Sequence, residues 1–542
     1  MDQIFADIIF PLALEGSLSY RVPPEMASNA VRGCQIKAPV GNRIHTGVIC
    51  NIRRESEITI SDSDIKDIQS IETALPTIPE KTLRFWEWIA GYYMCPPGMV
   101  AKMALSLWRF KRRAQPKERD PGALPPPGLP LYVQGVDRVD YYMERIREVL
   151  AAGGQCLIIT PDRISCEIMY ESLFPELGES LICYHSKRTL KEQSRAKKEL
   201  FAGNPCVITG MHLSLLLPFT RLGLIIVDRE EHPGHKKTDA APLLNARDAA
   251  LMMGKICNAQ VVLGSSVPSL ETLYNSDKGK YIYRDICPLI PQNQVRPVVI
   301  DTSRSFASRS MKGHFDIRTH QAMEKSLSDG KKIILVEADR SMAEDHPTDP
   351  LIVVCKPLQL HHHLGKDTGM ICFLHTEKLL SRKHFRATEQ AGQIIGNALL
   401  WATSQSPRIP VFVQTDDMDH PFYRSLQEGF LHTFFISLLE DRKKYGYPPF
   451  SRLIFLTVSH RKRSLARARE GSLTENLSAA GLPLRIEGPF IPGESHSMLF
   501  SFRLQITIPR TVKVQQTKER ILAVINQTPL APARCRIDVD PA

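Results

Sequence analysis

The chain has 542 residues, 43% of them hydrophobic, and its 69 lysines and arginines outnumber 58 aspartates and glutamates, giving a formal net charge of +11. This length predicts several domains, and the basic balance permits a polyanion such as DNA as a partner, with a nonspecific basic surface as the alternative. The twelve cysteines form no C-x-x-C pair, no apolar run reaches the roughly 20 residues of a membrane span, and the first residues are acidic where a signal peptide needs positive charge. The sequence therefore argues against a membrane protein and a zinc knuckle, and it predicts a cytoplasmic location.

Residues 1–107 form the first predicted domain. Short β-type segments such as ADIIF and HTGVICNI are interrupted by glycine and proline, and a helical stretch follows from about residue 79 to 105. Residues 108–130 combine basic residues with prolines, which is typical of a tether stiffened by proline. We therefore predict a β-rich domain and a linker, whose charge also suits contact with phosphates.

From Leu131 onwards, predicted strands alternate with predicted helices. The apolar segments QCLIITP, CVITG and LGLIIVD are continuous, as in parallel strands that helices cover on both faces. We predict one α/β lobe over 131–290 and a second, smaller lobe over 291–445. The last segment, 446–542, has the order βαββαβ and predicts a ferredoxin-like sandwich. The predicted fold class is therefore α/β and multidomain.

The segment LGLIIVDREEH, 222–232, predicts a buried strand that ends in acidic residues. In a motor ATPase, such a strand-end aspartate orients magnesium, a neighbouring glutamate polarises water, and a glycine-rich loop with lysine and Ser/Thr wraps the phosphates. The phosphate loop that should precede this strand is shortened, and its lysine and Ser/Thr are gone. The sequence of the first lobe therefore indicates the remnants of a nucleotide site.

The chain as a whole resembles the family of primosomal protein N′, the replication-restart helicase PriA. The segments that carry the resemblance are colinear and cover most of the chain. They are LRFWEWIAGYYMCPPGMVAKMAL (83–105), YHSK (184–187), LPFTRLGLIIVD (217–228), NARDAA (245–250), VLGSSVPSLETLYN (262–275), HPFYRSLQEGF (420–430), DRKKYGYPPFSRL (441–453) and RIDVDP (536–541). The resemblance implies an N-terminal domain that binds DNA 3′ ends, two RecA-like lobes and a separate C-terminal domain.

The family's phosphate loop, G-V-T-[GS]-S-G-K-T-E, corresponds by this resemblance to QGVDRVDYY, 134–142, which is three residues shorter and contains no lysine. Gly135 is kept, but the Gly-Lys-Thr positions become Asp137, Arg138 and Val139. An acid repels polyphosphate, and valine does not ligate magnesium, although Arg138 retains the ability to meet a phosphate. The resemblance therefore predicts that this loop has lost its nucleotide chemistry.

The family's D-E-E-H motif is altered as well. Aligned without a gap it corresponds to Asp228, Arg229, Glu230 and Glu231, so that the water-polarising glutamate becomes Arg229, whereas a one-residue slip restores Glu-Glu-His. The predicted nucleotide-site remnants are Gly135, Arg138, Asp228 and Glu230.

The second lobe departs from the family in two places. The stretch that carries the arginine finger corresponds to NALLWATS, 397–404, where Trp401 and Ser404 replace the arginines, and the zinc-binding insertion with its eight cysteines is missing between Val336 and Ile352. The histidines 361–363 are interpreted as a polar loop. We therefore predict no catalytic residue, no metal site and no cofactor, since the ATP and magnesium of the family have lost their ligands.

Some family features that contact DNA keep counterparts. The 3′-end pocket corresponds to a turn with Tyr20, which is suited to stack on a base or to lie in the core, and to Gly41, with Lys37 and Arg43 beside it; Ser19 replaces the family's acid. A basic helix offers a second candidate surface, or else a solvated face. Its residues are Lys187, Arg188, Lys191 and Arg195.

Three functional hypotheses follow from the sequence. The first is a PriA-like protein of replication restart that binds forked DNA or single-strand/duplex junctions without hydrolysing ATP. The second is an active ATP-dependent helicase with a non-standard nucleotide site, and the third is an interaction scaffold or modulator that has lost DNA binding. The family resemblance alone suggests primosome proteins and single-stranded-DNA-binding protein as partners.

Overall fold

The computed structural model describes residues 3–54, 65–111, 123–286, 296–337, 349–381, 384–429, 431–492 and 498–541. Residues 112–122 of the predicted linker lie outside these ranges, as do residues 338–348, which form most of the segment where the zinc insertion is predicted to be missing. Within the described ranges, no helix is both long enough and apolar enough to cross a membrane.

The N-terminal domain is an antiparallel sheet followed by two helices. The sheet order is β2-β1-β4-β3-β5. The elements are β1 (Ile4–Ile9), β2 (Leu18–Val22), β3 (Gln35–Val40), β4 (Arg43–Arg54), β5 (Ser70–Ile71), α1 (Glu80–Tyr92) and α2 (Pro97–Ala104). Alternating side chains of β1, including Ile8, enter the core of this domain, while α1 buries Trp86 and Ile89 in a core shared with the next domain.

Lobe 1 is a seven-stranded parallel sheet in the order β12-β6-β11-β10-β7-β9-β8. Every residue of its central strand β10 is buried, as expected for a parallel strand covered on both faces. The strands are β6 (Leu131–Gln134), β7 (Gln155–Ile159), β8 (Leu181–Tyr184), β9 (Cys206–Gly210), β10 (Leu222–Asp228), β11 (Gln260–Ser265) and β12 (Ile282–Asp285). The helices are α3 (Val139–Ala151), α4 (Arg163–Leu177), α5 (Leu190–Phe201), α6 (Ala246–Cys257) and α7 (Leu270–Asp277).

Lobe 2 contains a second parallel sheet, which has the order β13-β19-β18-β16-β17, and a small hairpin of β14 and β15. Its strands are β13 (Val298–Asp301), β14 (Met311–Lys312), β15 (Phe315–Asp316), β16 (Lys332–Glu337), β17 (Ile352–Cys355), β18 (Thr368–Leu374) and β19 (Val411–Thr415). Its helices are α8 (Thr302–Ala307), α9 (Ile317–Ser328), α10 (Glu377–Leu380), α11 (Ala387–Ser404), α12 (Pro421–Glu428) and α13 (Leu431–Tyr445).

The C-terminal domain has the predicted βαββαβ order. Its sheet order, β21-β22-β20-β23, is that of a ferredoxin-like sandwich. The elements are β20 (Ser451–His460), α14 (Arg463–Ala479), β21 (Arg485–Phe490), β22 (Phe500–Pro509), α15 (Val514–Gln527) and β23 (Arg534–Val539). The predicted multidomain α/β fold is therefore confirmed.

Polar contacts near the end of the chain join three domains. The Tyr92 hydroxyl of α1 donates to Asp540 Oδ2 at 2.6 Å, and Arg452 of β20 donates to the same oxygen at 2.8 Å. Lys236 of lobe 1 forms an ion pair with Asp538 at 2.9 Å. Burial alone would raise the pKa of Asp540, but the Arg452 charge and the Tyr92 hydrogen bond hold it below its usual value. The acids of the RIDVDP motif therefore fix the C-terminal domain in place.

Candidate functional site

The strand-end aspartate of lobe 1 is held by an arginine of the shortened loop. Asp228 ends β10, and Arg138 immediately precedes α3, so both lie at the same edge of the parallel sheet. The guanidinium donates to Asp228 Oδ1 from Nη2 at 2.8 Å and from Nε at 3.0 Å. Both side chains are about 10% exposed, so water screens the pair little.

The loop backbone is also turned towards the guanidinium. The Gly135 carbonyl accepts from Arg138 Nη1 at 2.5 Å and from the Ser266 hydroxyl at 2.9 Å. The Gly135 N–H donates to the carbonyl of Ser265 at 3.2 Å. A phosphate is bound by converging N–H groups, whereas this loop directs a carbonyl oxygen into the site.

Tyr142 completes the group around the aspartate. Its hydroxyl donates to Asp228 Oδ1 at 2.8 Å and accepts from Arg138 Nε at 3.1 Å. A Cβ atom at Gly264, on the neighbouring strand, would lie only 1.7 Å from the Tyr142 hydroxyl oxygen. Gly264 is therefore what allows the tyrosine to reach the aspartate, a role that the sequence did not reveal.

The charges of this group balance internally. Burial alone would raise the pKa of Asp228, but the adjacent Arg138 charge and its hydrogen bonds hold it below the ordinary value. The pKa of Arg138 is raised, because the attraction of Asp228 outweighs the cost of burial. Magnesium would have to displace this guanidinium to reach Oδ1, and Asp137 of the same loop is exposed beside the site. The residues around Asp228 therefore do not fit a magnesium–nucleotide complex.

Glu230 is not part of this group, and its prediction as a nucleotide-site remnant is corrected. Its carboxylate accepts from the Ser269 backbone N–H at 2.8 Å, from the Ser269 hydroxyl at 2.9 Å and from Arg247 at 3.1 Å. Ser269 is the N-cap of α7. The strand-end turn, in which Arg229 adopts φ 53°, directs Glu230 to this helix start and so gives it a structural role.

Glu231 faces the cleft between the lobes instead. Its Oε1 accepts from Asn397 Nδ2 at 2.9 Å, and burial raises the pKa of its carboxyl. The opposite wall includes Leu358 and Trp401, and the free volume is about 110 Å³. That volume is below the roughly 300 Å³ at which small-molecule sites usually begin. The segment matched to the arginine finger thus lies on α11 as part of this wall.

Buried ion pairs hold the two lobes together beside this cleft. Glu271 of α7 accepts from both terminal nitrogens of Arg386, at 2.6 and 3.0 Å, and Glu389 of α11 accepts from the Leu270 N–H at 2.8 Å. Arg442 of α13 donates to Glu389. Removing one member of such a buried pair typically costs about 3–5 kcal/mol. The lobes are therefore closed by the side chains of the chain itself.

The predicted polar loop of histidines also crosses the lobe boundary. His361 and His362 end a 3-10 helix of lobe 2, and both direct Nε2 towards Asp162, the N-cap of α4 in lobe 1. The distances to the carboxylate are 3.5 Å for His361 and 3.0 Å for His362. Two of the three adjacent histidines thus converge on one carboxylate, which corrects the interpretation of this segment as a loop alone.

Tyr20 is a core residue, which is one of the two alternatives that the sequence left open, and its ring is not exposed for stacking on a DNA base. It is 4% exposed, packs against Phe10 with ring centroids 5.7 Å apart, and donates its hydroxyl to the Pro39 carbonyl at 2.7 Å. Tyr20 therefore supports the β3–β4 hairpin, whose tip contains the exposed Gly41 at φ 60° and the exposed Arg43.

Two further residues of this region form internal contacts. Lys37 pairs with Glu72 at 3.1 Å. The Ser19 hydroxyl donates to Asp7 Oδ1 at 2.7 Å, and Asp7 also pairs with Arg53 at 2.7 Å. Asp7, which the sequence did not single out, therefore places a buried carboxylate beside the position where the family's acid is replaced by serine.

The basic surface of lobe 1 is divided between paired and free side chains. Arg188 lies 3.5 Å from Glu192, and Arg195 pairs with Glu179 at 2.7 Å. Lys187 and Lys191 are exposed and form no ion pair among the residues described. These two lysines are therefore the members of the predicted basic helix region that are available to an outside anion.

Two parallel-sheet lobes that face a cleft, preceded by an antiparallel domain, define a multidomain α/β protein. Residues 7–106 match the family model described as the PriA 3′DNA-binding domain. The replication restart protein PriA of Rickettsia conorii is 29% identical over 299 residues, covering 51% of this chain and 45% of its own length. That of Chlamydia pneumoniae is 34% identical over 151 residues, covering 28% and 20%.

The chain is thus similar to replication restart proteins PriA, and its residues 7–106 match the family model of their 3′DNA-binding domain. It spans about half the length of the curated relatives that it matches most extensively. Among solved structures, RecG bound to a three-way DNA junction is 12% identical, with a TM-score of 0.39, and the match covers 67% of this chain and 56% of RecG.

Proposed function

We propose that this protein acts in replication restart by binding forked or 3′-ended DNA, and that it does so without hydrolysing ATP or unwinding the duplex. The DNA-binding part of the proposal is supported by the match of residues 7–106 to a 3′DNA-binding domain. The assignment to replication restart is supported by the printed name of the relatives. Primosome proteins and single-stranded-DNA-binding protein as partners belong to the same proposal by family likeness.

The observation that carries the non-enzymatic part is the buried contact of Arg138 with Asp228. A motor uses its strand-end aspartate to hold magnesium and its loop N–H groups to hold phosphate. In this chain the aspartate is neutralised by a guanidinium, and the Gly135 carbonyl points to the same guanidinium. Without these groups, the described residues around Asp228 offer neither the metal ligand nor the N–H donors that would stabilise a phosphoryl transition state.

Exposed cations suit the DNA-binding part. The tip of the β3–β4 hairpin presents Arg43 next to Gly41, where the backbone is open to close approach by a ligand. Lys187 and Lys191 add positive charge on lobe 1, and the formal net charge of the whole chain is +11. Such cations bind phosphates and release counterions, so affinity for DNA should fall steeply with salt.

The test is a titration of the full chain against labelled fork, 3′-overhang and blunt duplex DNA, with fluorescence anisotropy as the readout and with or without Mg-ATP. We expect tighter binding to the fork and the overhang than to the blunt duplex, with no change on adding Mg-ATP. DNA-stimulated release of phosphate would instead favour an active helicase. Failure to bind any of the three DNAs would favour an interaction scaffold.

A further inference from the structure

The side-chain cluster of Asp162, His361 and His362 lies outside the contacts used so far for the proposed function. Their ligand atoms, one carboxylate oxygen and two imidazole nitrogens, all lie within 4.8 Å of one another. The two histidine side chains are 10% and 8% exposed, and that of Asp162 is 31% exposed. The two imidazoles are thus buried, whereas the carboxylate is partly accessible to solvent.

The spacing of the cluster suits a tetrahedral metal ion. Zinc binds imidazole nitrogen and carboxylate oxygen at about 2.0–2.2 Å, which places neighbouring ligand atoms about 3.3 Å apart. His362 Nε2 lies 3.0 Å from Asp162 Oδ1 and His361 Nε2 lies 3.5 Å from Oδ2, so the two distances bracket that value and the carboxylate presents a different oxygen to each imidazole. Two imidazoles and one carboxylate favour zinc over magnesium or calcium, which prefer sets of oxygen ligands.

Local structure holds the carboxylate in place. Asp162 Oδ1 accepts from the Ser165 backbone N–H at 2.9 Å, and Oδ2 accepts from the Ser165 hydroxyl at 3.0 Å. These bonds fix the aspartate as the cap of α4, and the Ser165 hydroxyl also lies 2.7 Å from His361 Nε2, so a bound zinc ion would take the place of that hydrogen bond. Hydrogen bonds to a ligating carboxylate are usual in metal sites, because they orient the ligand.

The neighbouring histidines are excluded from the cluster by their contacts. His232 packs against His361 with ring centroids 5.5 Å apart, but its Nδ1 accepts from the Gly234 N–H at 3.0 Å and its Nε2 lies 3.3 Å from the Leu358 carbonyl. His363 does not join the three ligand atoms. The candidate ligand set is therefore three residues, which leaves a fourth tetrahedral position for water.

We propose that Asp162, His361 and His362 form a zinc site that joins lobe 1 to lobe 2 across the cleft. Because Asp162 comes from lobe 1 and both histidines come from lobe 2, a bound zinc ion ties the lobes without nucleotide. This site goes beyond the proposed function, since DNA binding by the N-terminal domain does not depend on it.

The test begins with the full chain stripped of metal by a chelator and dialysed against zinc chloride, with bound zinc measured by mass spectrometry. We expect about one zinc ion per chain, and a cobalt-loaded sample should show the strong visible absorption of a tetrahedral site. Zinc should also raise the melting temperature, because three assembled ligands bind it more tightly in the folded chain than in the unfolded chain. A chain that binds no zinc and gives no cobalt absorption overturns the proposal, whatever any variant does.

Three variants and one control assign the ligands. His361→Ala and His362→Ala should each abolish stoichiometric zinc binding and the zinc-dependent rise in melting temperature. Asp162→Asn keeps the helix cap, since asparagine caps as well as aspartate, but should weaken zinc binding at least tenfold. His363→Ala, in the same segment, should bind zinc like the unaltered chain. Unchanged zinc binding in His361→Ala and His362→Ala would assign the metal elsewhere and overturn the proposal.

Discussion

Arg138 and Asp228, 90 residues apart in the chain, form a buried ion pair in which Nη2 lies 2.8 Å from Oδ1. In a motor of this architecture the corresponding aspartate faces magnesium, a cation that arrives with the nucleotide. Here the cation is part of the chain. The charge of Asp228 at the end of β10 is therefore balanced by a side chain of the same protein.

The first prediction concerns this pair. Arg138→Met leaves Asp228 buried without its cation, and we expect a loss of about 3–5 kcal/mol in the free energy of unfolding. The double variant Arg138→Met, Asp228→Leu should recover most of the loss, since no buried charge remains. Urea unfolding followed by circular dichroism measures both. A double variant as unstable as the single one would show that the loss is not electrostatic.

The second prediction concerns the space that Tyr142 occupies. Gly264→Ala places a Cβ where the Tyr142 hydroxyl lies, since the two would be 1.7 Å apart, and the tyrosine must move from Asp228. Overpacking of this kind costs about 1–3 kcal/mol. Gly471→Ala is the control: its Cβ meets nothing within 4 Å, so this helical site should gain up to about 1 kcal/mol. Equal effects of the two substitutions on thermal unfolding would contradict the expectation.

The third prediction concerns the closure of the lobes. Glu271→Gln removes the lobe 1 charge that faces Arg386 and Arg442 of lobe 2, and we expect the interface between the lobes to open more often. Limited proteolysis should then cleave the full chain faster, with a stability loss of about 3–5 kcal/mol. Glu148→Gln breaks an exposed pair with Arg145 and should change stability by less than about 1 kcal/mol. A proteolysis rate that is the same in both variants would argue against this closure.

The fourth prediction separates free cations from paired ones. If Lys187 and Lys191 contact phosphates, replacing both by alanine should reduce the slope of log affinity against log salt by about 1.8, or 0.9 for each contact with duplex DNA. Arg195→Ala should change this slope less, because Glu179 already pairs with the arginine at 2.7 Å. Anisotropy titrations at several salt concentrations supply the slopes. An unchanged slope in the double variant would remove this surface from the DNA interface.

The fifth prediction concerns acid sensitivity. His235 is 2% exposed, and burial lowers its pKa to about 4, while its Nε2 donates to the Asp228 carbonyl at 2.9 Å. Between about pH 6.5 and 4 the unfolded chain binds a proton that the folded chain does not, so stability falls as pH falls. The loss from this residue approaches about 3 kcal/mol.

A substitution tests that assignment. His235→Gln can keep a donor for the Asp228 carbonyl without titrating, so its unfolding free energy should depend less on pH between about 6.5 and 4. The exposed His432→Gln serves as the control and should leave the pH profile as it is. If His235→Gln retains the full pH dependence, another buried group is responsible for it.

Most of the fold was predictable because it depends on local patterns. The continuous apolar run of β10 indicated a parallel strand, and the order of elements after residue 445 indicated the ferredoxin-like sandwich. The loss of lysine from the loop before α3 was also visible in the sequence. In contrast, the residue type of Tyr20 does not show whether the ring stacks on a base or supports a hairpin. Only its hydrogen bond to the Pro39 carbonyl distinguishes the two roles.

The sequence by itself indicated the order and type of the secondary-structure elements and which residues end β10 and precede α3, because periodicity and residue chemistry are properties of neighbours along the chain. Tertiary structure alone decided which partners these side chains contact. It turned Glu230 to a helix start, gave Asp228 the Arg138 guanidinium, and brought Asp162 to two histidines of the other lobe. These partners are far apart in sequence, and only the packing of parallel sheets places them at one edge.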